Sequence, residues 1–471
     1  MKKEIGKSLK IERFSNKMQY DSNNHLNMTD QIVEVLHEFR TSPLLENAFH
    51  QAKICLLDYL GVTIAGSNIS KNSIDQYIKL SKNISGESKV IGQSYSTDIV
   101  SAILLNGFSS HVAEMDDGHR FGMIHLASPI ITPLLLVAAQ DKMDGKDFLR
   151  GIILGYETAI QLASSMQPAH RNKGFHTTGT CGTIGAAMGI ASALNYNKAQ
   201  LKSTLSAAAT SASGILEIQE DGSELKPYNP AMAAVNGYLA ARIGRVGLLG
   251  PHDILGGRRG FLSVMSDHNF EFRKPDIHNL GVFNIYLKPY ASCRHCHPAI
   301  EATLEITSSN QLATDSIQQV LVHTYSAAVN GHDHKTIHGT SSARLSLPYS
   351  VAVALLAGKA NIEEFDIKSV ELDSIISIMD KVDIIVDSEF SALAPQKRVA
   401  IVSIVTNDGE HYEARVDYPK GEPENPMSLK EVENKFLSLA LFGGKTQIEA
   451  FQIIERVKNI ETDLMSLFDL L

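Results

Sequence analysis

Apolar residues recur at helical spacing from Met28 to about Phe270, and this pattern constrains the fold more than any other feature of the chain. Several of these segments are rich in Ala, Gly and Ser, so we expect their helices to approach one another closely. The predicted helices are TDQIVEVLHEF with Thr29 as a possible N-cap, LLENAFHQAKICLLDYLGVTIAG ended by Gly61 or Gly66, residues 98–113 and 128–141, GKDFLRGIILGYETAIQLASSM, CGTIGAAMGIASALN, KAQLKSTLSAAATSASG and NPAMAAVNGYLAARIGRVG. The sequence therefore predicts a buried, all-helical core in this part of the chain.

The pattern changes after Phe270. IQQVLVHTYSAAV alternates and is β-branched, and KRVAIVSIVTNDGEHYEARVDYPKG reads as two strands joined at Asn407-Asp408-Gly409. Between these segments, SLPYSVAVALLAG and SIISIMDKVDIIV read as helices, and the chain is helical again from Ser428. We predict a mainly α fold with a polar N-terminal extension (1–27), a helical domain (28–272), a smaller α+β domain (273–420) and C-terminal helices that return to the helical domain (421–471).

Charge and composition narrow the class of function. The net charge of −9 provides no general attraction to nucleic acid or to an anionic membrane surface, so a small anionic substrate would need locally placed cations. No apolar run reaches transmembrane length, and the N-terminus has no signal-peptide core. Four cysteines in 471 residues do not form a disulfide scaffold. These features predict a soluble cytoplasmic protein without nucleic-acid or membrane partners.

The segment from Asn106 to Pro129 concentrates titratable side chains between two predicted helices. It contains Glu114, Asp116, Asp117, His111, His119, Arg120 and His125. Neighbouring aspartates diverge on a helix, so in a loop one could face a pocket while the other caps a helix or binds Arg120. The segment is either half of a proton-transfer site or a solvated surface of paired charges.

Two further stretches carry isolated candidates. His176 and several hydroxyls precede a predicted helix start, where free N–H groups and the macrodipole favour a carboxylate or phosphate. The glycines that follow it do not come after a predicted strand, which argues against a dinucleotide loop. Lys226 precedes another helix and either points into a cleft or is solvated.

The stretch from Cys293 to His297 matches the haem attachment pattern C-x-x-C-H, but that pattern normally requires an exported protein. A zinc site would need ligands beyond these closely spaced residues. His332, His334 and His338 are the nearby candidates, which leaves a metal-dependent hydrolase as an alternative function.

Taken in order, these stretches resemble the MmgE/PrpD family, which includes 2-methylcitrate dehydratase, cis-aconitate decarboxylase and iminodisuccinate epimerase. The resemblance covers nearly the whole chain and is carried by the NG…H…DD…H segment, GYE followed by GFH and a TGT-G helix start, LKPYNP-AAVNG, KPY…C…HPAIEA, SARLSLPYSVA, and the VSIVTNDG hairpin with D-PKG-P-NPMS. It implies a large helical domain with an α+β lid, usually a homodimer, and an active site in the cleft between them with neither cofactor nor metal.

The resemblance also implies the site residues. By matching motifs, these are Glu114, Asp116, Asp117, His125, His176, Lys226 and Lys288. The family commonly reads D-F-D-D-[ST] and then H-P-[ST]. This chain carries Glu114 in place of the first aspartate, Gly118 in place of the Ser or Thr, and Leu126 in place of the proline, so the substrate cannot be carried over.

The family reactions all pass through an electron-rich carbon next to a carboxylate. We expect Lys226 and Lys288 to hold carboxylates, with Arg120 or Arg171 as helpers. His125 and His176 would transfer protons, because histidine is the side chain that titrates near neutrality. Glu114 or Asp116 would orient a histidine or act as an acid if burial raises its pKa.

The leading expectation is a lyase with a 2-methylcitrate dehydratase-like reaction on a small polycarboxylate. Decarboxylation of cis-aconitate and epimerisation of iminodisuccinate on the same scaffold are the alternatives. A non-catalytic carboxylate-binding protein is the alternative from a different functional class.

Overall fold

A computed structural model describes residues 26–40, 42–43, 46–81, 85–267, 276, 278–310, 312–366 and 372–471. Most of the predicted N-terminal extension and the predicted boundary at residues 272–273 lie outside the described residues. The fold is mainly α with a smaller α+β part, as predicted. The division into four segments stays a prediction.

Eleven α-helices, a 3₁₀ helix (Leu216–Gly222) and a two-stranded antiparallel sheet make up the described first part of the chain. They are α1 (Met28–Phe39), α2 (Glu46–Ile69), α3 (Lys71–Leu80), β1 (Ser88–Lys89), β2 (Ser96–Thr97), α4 (Ile99–Val112), α5 (Ala127–Asp141), α6 (Gly145–Met166), α7 (Ala169–Asn172), α8 (Thr177–Ala193), α9 (Lys198–Ser211), α10 (Tyr228–Gly244) and α11 (Phe261–Met265). Helix α8 is buried along its whole length and packs against α5, α6, α9 and α10.

The close approach expected of the small residues is seen where α8 crosses α6. A β-carbon added at Gly155 would come within 2.9 Å of the backbone oxygen of Gly185, and one at Gly189 would come within 2.7 Å of that of Gly151. Any side chain at these positions would push the helices apart. The glycines therefore let α8 lie at the centre of the helical bundle.

Two predicted helix ends were wrong. Helix α1 is capped by Asn27, whose side chain accepts from the Asp30 N–H, while the Thr29 hydroxyl donates to Asp253 at 2.6 Å. Helix α2 runs through both Gly61 and Gly66, because each glycine admits a packed neighbour where a side chain would not fit. In both glycines packing outweighs the cost of glycine inside a helix.

The later part of the chain contains a four-stranded sheet in the order β4-β3-β5-β6. Its elements are α12 (His297–Ser309), β3 (Ile317–Thr324), α13 (Ser326–Val329), α14 (Thr340–Leu345), α15 (Leu347–Ala357), α16 (Leu372–Met379), β4 (Val382–Val386), α17 (Ser388–Leu393), β5 (Ala400–Thr406) and β6 (His411–Val416). Strands β3 and β4 are parallel, and β3–β5 and β5–β6 are antiparallel. The hairpin at Asn407-Asp408-Gly409 is confirmed, with Gly409 at φ 87°.

SIISIMDKVDIIV does not form one helix. Helix α16 ends at Met379 and the following residues form β4, which pairs in parallel with β3. A short apolar run cannot be assigned to helix or strand by periodicity alone. Helices α12 and α15 contact this sheet and enclose a second apolar core between them.

The chain ends with α18 (Leu429–Phe442) and α19 (Gln447–Lys458), which pack against α2. Val432, Phe436 and Ile453 are buried in the same apolar core as the first helices. The C-terminal helices therefore contribute to the first core, although they follow the α+β part in sequence. Among the described helices, none combines the length and the apolar character needed to cross a membrane.

Candidate active site

The acidic segment turns sharply where α4 ends. Glu114 has a left-handed backbone with φ 54°, and its N–H donates to the His111 carbonyl at 3.1 Å. This conformation is uncommon for a residue with a side chain and persists only where the surroundings hold it. Here the Glu114 carboxylate is held by two lysines from distant parts of the chain, Lys226 and Lys288.

The two aspartates face different ways, as expected for a loop. Asp117 Oδ1 accepts from the N–H groups of Leu126 and Ala127 at 3.1 and 2.9 Å and so caps α5. Its other oxygen accepts from the Tyr156 hydroxyl at 2.7 Å. Burial raises the pKa of Asp117 to about 6. Asp117 therefore supports the site, while Asp116 points into it.

A short bridge brings Lys288 to the acids. The backbones of Gly118 and Tyr286 exchange two hydrogen bonds of 3.0 and 2.8 Å, and Lys288 follows two residues later. A β-carbon at residue 118 would overlap the Tyr286 side chain. Glycine at this position therefore permits the approach that places Lys288 beside Glu114 and Asp116.

Two lysines and two carboxylates form the charged centre of the site. Lys226 Nζ contacts Glu114 Oε1, and Lys288 Nζ lies 3.1 Å from Glu114 Oε2 and 3.5 Å from Asp116 Oδ1. All four side chains are buried. Buried charges require partners of this kind, so the cluster is balanced by its own residues.

The electrostatic balance keeps the acids ionised. Burial opposes the charge of Glu114, but Lys226, Lys288 and His111 outweigh it and hold its pKa well below the usual value. Burial likewise opposes the charge of Asp116, but His111, His125 and Lys288 lower its pKa. Neither carboxyl is then a proton donor near neutral pH, contrary to the expectation that burial could make one an acid.

Two histidines share Asp116. His111 Nδ1 donates to Asp116 Oδ2 at 2.7 Å, and His125 Nδ1 lies 3.2 Å from the same oxygen. His125 Nδ1 is also 2.7 Å from the Asp117 carbonyl oxygen, which can only accept, so this nitrogen carries the hydrogen. In the tautomer with this hydrogen and no second one, Nε2 has a free lone pair and can act as a base. Its side chain is 16% exposed, more than those of Asp116, Lys226 or Lys288, so it is the group most open to a ligand.

His176 lies at the N-terminus of α8 and is oriented by α10. The amide nitrogen of Asn229 is 3.0 Å from His176 Nδ1, and because an amide nitrogen can only donate, Nδ1 accepts and Nε2 carries the hydrogen. Burial lowers the pKa of His176 well below its usual value, and the positive charges of His111 and Lys226 lower it further. His176 is therefore neutral and offers an Nε2–H donor.

The two arginines proposed as helpers lie elsewhere. Arg120 pairs with Glu424 and, at 3.4 Å, with Glu422. Glu422 also binds Arg294 at 3.1 Å and Arg398 at 3.0 Å, so Arg120 belongs to an ion-pair cluster that ties the acidic segment to the loop before α18. His119 is buried and accepts from the Gly122 N–H at 3.0 Å, outside the charged centre.

Arg171 is exposed on α7 and lines a cavity of about 300 Å³ together with His332, His334 and His338. It is close enough to His176 to lower the pKa of that histidine. The structure thus places Arg171 at the edge of the site rather than in its charged centre.

The alternative zinc site does not assemble around Cys293–His297. Cys293 meets His332, while His295 contacts the Tyr325 hydroxyl at 2.7 Å and His297 contacts Arg294 at 3.0 Å. Among the described residues, the group whose ligand atoms lie within 4.8 Å of one another is His111, Asp116 and His125. That donor set could hold a metal ion, but Lys288 lies 3.5 Å from its carboxylate and competes electrostatically.

Some participants were missed by the sequence reasoning. His111 was noted in the acidic segment but not chosen, although its position three residues before Glu114 at a helix end was an available signal. Asn229 and Tyr156 each orient a site residue through one hydrogen bond. Nothing in their local sequence indicates those partners.

Comparison with known proteins gives one consistent result. Sequence models of the MmgE/PrpD N-terminal and C-terminal domains match residues 30–273 and 290–460. A cis-aconitate decarboxylase-like protein of Aspergillus oryzae is 26% identical over 95% of this chain and 96% of its own. A cis-aconitate decarboxylase of Aspergillus terreus is 25% identical over 96% of this chain and 95% of its own. The cis-aconitate decarboxylase of Homo sapiens is 23% identical over 92% of this chain and 92% of its own.

Proposed function

The chain belongs to the MmgE/PrpD family, and on that premise we propose that it is a lyase that acts on a small polycarboxylate, with decarboxylation of a cis-aconitate-like substrate as its reaction. Similarity over nearly the full length to cis-aconitate decarboxylases supports this choice over dehydration. The sequence alone had favoured a dehydratase.

The observation that carries the proposal is the buried pair of lysines beside three histidines. Lys226 and Lys288 hold Glu114 as they would hold a substrate carboxylate. Ammonium groups in a water-poor cleft stabilise carboxylates and developing negative charge more strongly than they do in water. The two lysines are therefore the candidate groups for binding a polycarboxylate, which would share them with Glu114 and Asp116.

The histidines supply the remaining roles. When a carboxylate leaves as CO₂, the electrons of its C–C bond move into the adjacent alkene, and carbon must then take up a proton. For this step His125 must also carry a proton on Nε2, which it donates to carbon, and it returns to the neutral form with its hydrogen on Nδ1. His176 donates its Nε2–H to a carboxylate oxygen on which charge accumulates. His111 and Asp116 hold His125 in place.

Dehydration and epimerisation remain the second candidate, and one observation favours them. A neutral His125 with Nε2 free is a suitable base to remove a proton next to a carboxylate, which both reactions need and decarboxylation does not. Glu114 and Asp116 are weaker bases for this task, because their pKa values are lowered.

One assay separates the candidates. Purified protein is incubated with cis-aconitate, 2-methylcitrate, citrate and iminodisuccinate, with and without a chelator. Release of CO₂ from cis-aconitate that survives the chelator is expected. Gain of alkene absorbance from 2-methylcitrate would show dehydration instead. Tight binding without turnover of any compound would contradict the proposal and favour a binding protein. Lys288→Gln serves as the matched inactive control.

We also propose a cytoplasmic homodimer that forms through α10. Leu239 and Ile243 are exposed at helical spacing on this helix, by 48% and 47%, and Val246, just beyond its end, is exposed by 67%. An apolar stripe of this kind is typical of a covered surface. Light scattering should give twice the chain mass, and Leu239→Glu with Ile243→Glu should give monomers. Leu80→Glu, at an exposed site on α3, is the control that should stay dimeric.

A further inference from the structure

Cys293 and His332 are paired near the charged centre of the site, and no role proposed above uses them. Cys293 Sγ lies 3.5 Å from His332 Nε2. His332 Nδ1 lies 2.8 Å from the Leu345 carbonyl oxygen, which can only accept. Nδ1 therefore carries a hydrogen, and Nε2 is turned toward the thiol. A nucleophile, a base within reach and a third group that orients the base are the elements of an activated nucleophile.

The charges around the thiol favour its ionised form. Burial raises the pKa of Cys293, but His332 outweighs this effect and lowers the pKa to about 6. The positive charge of Lys226 lowers the pKa of Cys293 as well, and the negative charge of Glu114 raises it. Burial lowers the pKa of His332, but Cys293 raises it above its usual value. Other ionisable groups near the pair are His295, whose ring centroid is 5.7 Å from that of His332, and the Cys296 thiol. Lys288, Tyr325 and Arg398 also interact electrostatically with Cys293.

Access distinguishes Cys293 from the other cysteines. Cys55, Cys181 and Cys296 are buried, whereas Cys293 is partly exposed. Its partner His332 also lines the cavity of about 300 Å³ at the edge of the site. A small molecule in that cavity would lie beside the imidazole that activates the thiol. A reactive cysteine requires both this access and thiolate character.

We propose that Cys293 and His332 form a thiolate–imidazolium pair and that Cys293 is a covalent modification site for small, soft carbon electrophiles such as haloacetyl groups and activated alkenes. With a haloacetyl group, sulfur forms a C–S bond and the halide leaves with the bonding electrons. With an alkene, sulfur adds to one carbon, the π electrons move to the carbon beside the activating group, and His332 supplies its proton there. The added group would lie near Lys226, whose charge acts on the thiol.

Iodoacetamide tests this directly. Full-length protein is labelled at pH 5 to 9, and the rate and position of labelling are followed by intact mass and peptide mapping. We expect one label per chain, on Cys293, with a rate that rises through about pH 6. Cys293→Ser should abolish it, and Cys296→Ser, three residues away, should leave it unchanged. These readouts do not depend on the proposed lyase activity.

His332→Gln should move the rise toward pH 8.5, the value of a free thiol. At pH 6 the thiolate fraction falls more than a hundredfold, but a thiolate of higher pKa is more nucleophilic, so the rate should fall about tenfold. A wild-type profile that rises only above pH 8, or labelling unaffected by His332→Gln, would overturn the proposal. The wild-type profile decides the matter even if the variant does not fold.

Discussion

Replacing Glu114 by Gln tests whether one carboxylate compensates both buried lysines. Among the described residues, Glu114 is the acid that pairs with Lys226, whereas Lys288 also has Asp116 at 3.5 Å. Glutamine keeps the size of the side chain and one acceptor oxygen. It also has the same unbranched Cβ as glutamate, so the left-handed backbone at residue 114 is no more strained than in wild type. The change therefore removes charge and little else.

The structure sets the size of the effect. At the 3.1 Å between Lys288 Nζ and Glu114 Oε2, the Coulomb attraction is about 5 kcal/mol for an effective dielectric constant of about 20. The variant no longer has to desolvate a carboxylate, which offsets part of this loss. Breaking a buried pair by removing one partner typically costs about 3–5 kcal/mol. For a chain of 471 residues this corresponds to a fall in Tm of about 3–5 °C.

Thermal unfolding with and without polycarboxylate is the assay. The matched control is Glu46→Gln, which removes an exposed ion pair with Lys146 and should cost less than about 1 kcal/mol. A bound polycarboxylate would replace the missing charge, so it should raise the Tm of Glu114→Gln more than that of wild type. Equal Tm values for Glu114→Gln and Glu46→Gln, or equal stabilisation by ligand, would refute the reasoning.

Three further outcomes are expected. His176→Ala should lower kcat by about 10²–10³-fold in steady-state turnover, because it removes a hydrogen-bond donor from the site. His176→Gln can still donate a hydrogen bond and should retain more activity, and the control His50→Ala, at an exposed position, should retain full activity. Burial raises the pKa of Asp117 to about 6 in the folded protein, so the native state binds a proton more tightly than the unfolded state does, and wild-type stability falls as pH rises from about 4 through 6. Denaturant unfolding should show wild type losing about 3 kcal/mol relative to Asp117→Asn over that range. Glu114 and Asp116 already neutralise the two lysines, so the protein should take up about one proton from solution for each tricarboxylate that binds. The heat of binding measured by calorimetry should therefore differ between buffers of different ionisation enthalpy.

Local signals predicted the architecture well where they were strong. The Asn407-Asp408-Gly409 turn and the small-residue helices were recognisable because turn type and periodicity are determined by residues close together in sequence. The end of α2 was predicted wrongly at Gly61 or Gly66, because whether a glycine ends a helix depends on what packs against it. That information lies far away in sequence, in residues such as Phe436.

The site was predictable to the extent that side chains were recognised, but their partners were not. Lys226 alone looked solvated, and only the family resemblance placed it near the acids, where the structure also has it. Arg120 was expected to help bind substrate because it lies within the acidic segment. Its guanidinium is instead engaged by Glu422 and Glu424, some 300 residues later, a pairing that no local pattern could reveal.

The departures from the family pattern at residues 114 and 118 are linked through Lys288. Gly118 admits Tyr286, and the resulting bridge carries Lys288 toward the acids. The longer side chain of glutamate at position 114 then reaches both Lys288 and Lys226, where an aspartate would be one methylene shorter. Replacing Glu114 alone by Asp would loosen its hold on Lys226, yet Lys288 would keep Asp116 at 3.5 Å. The arrangement of the two lysines therefore depends on both positions, and exchanging one without the other should disturb it.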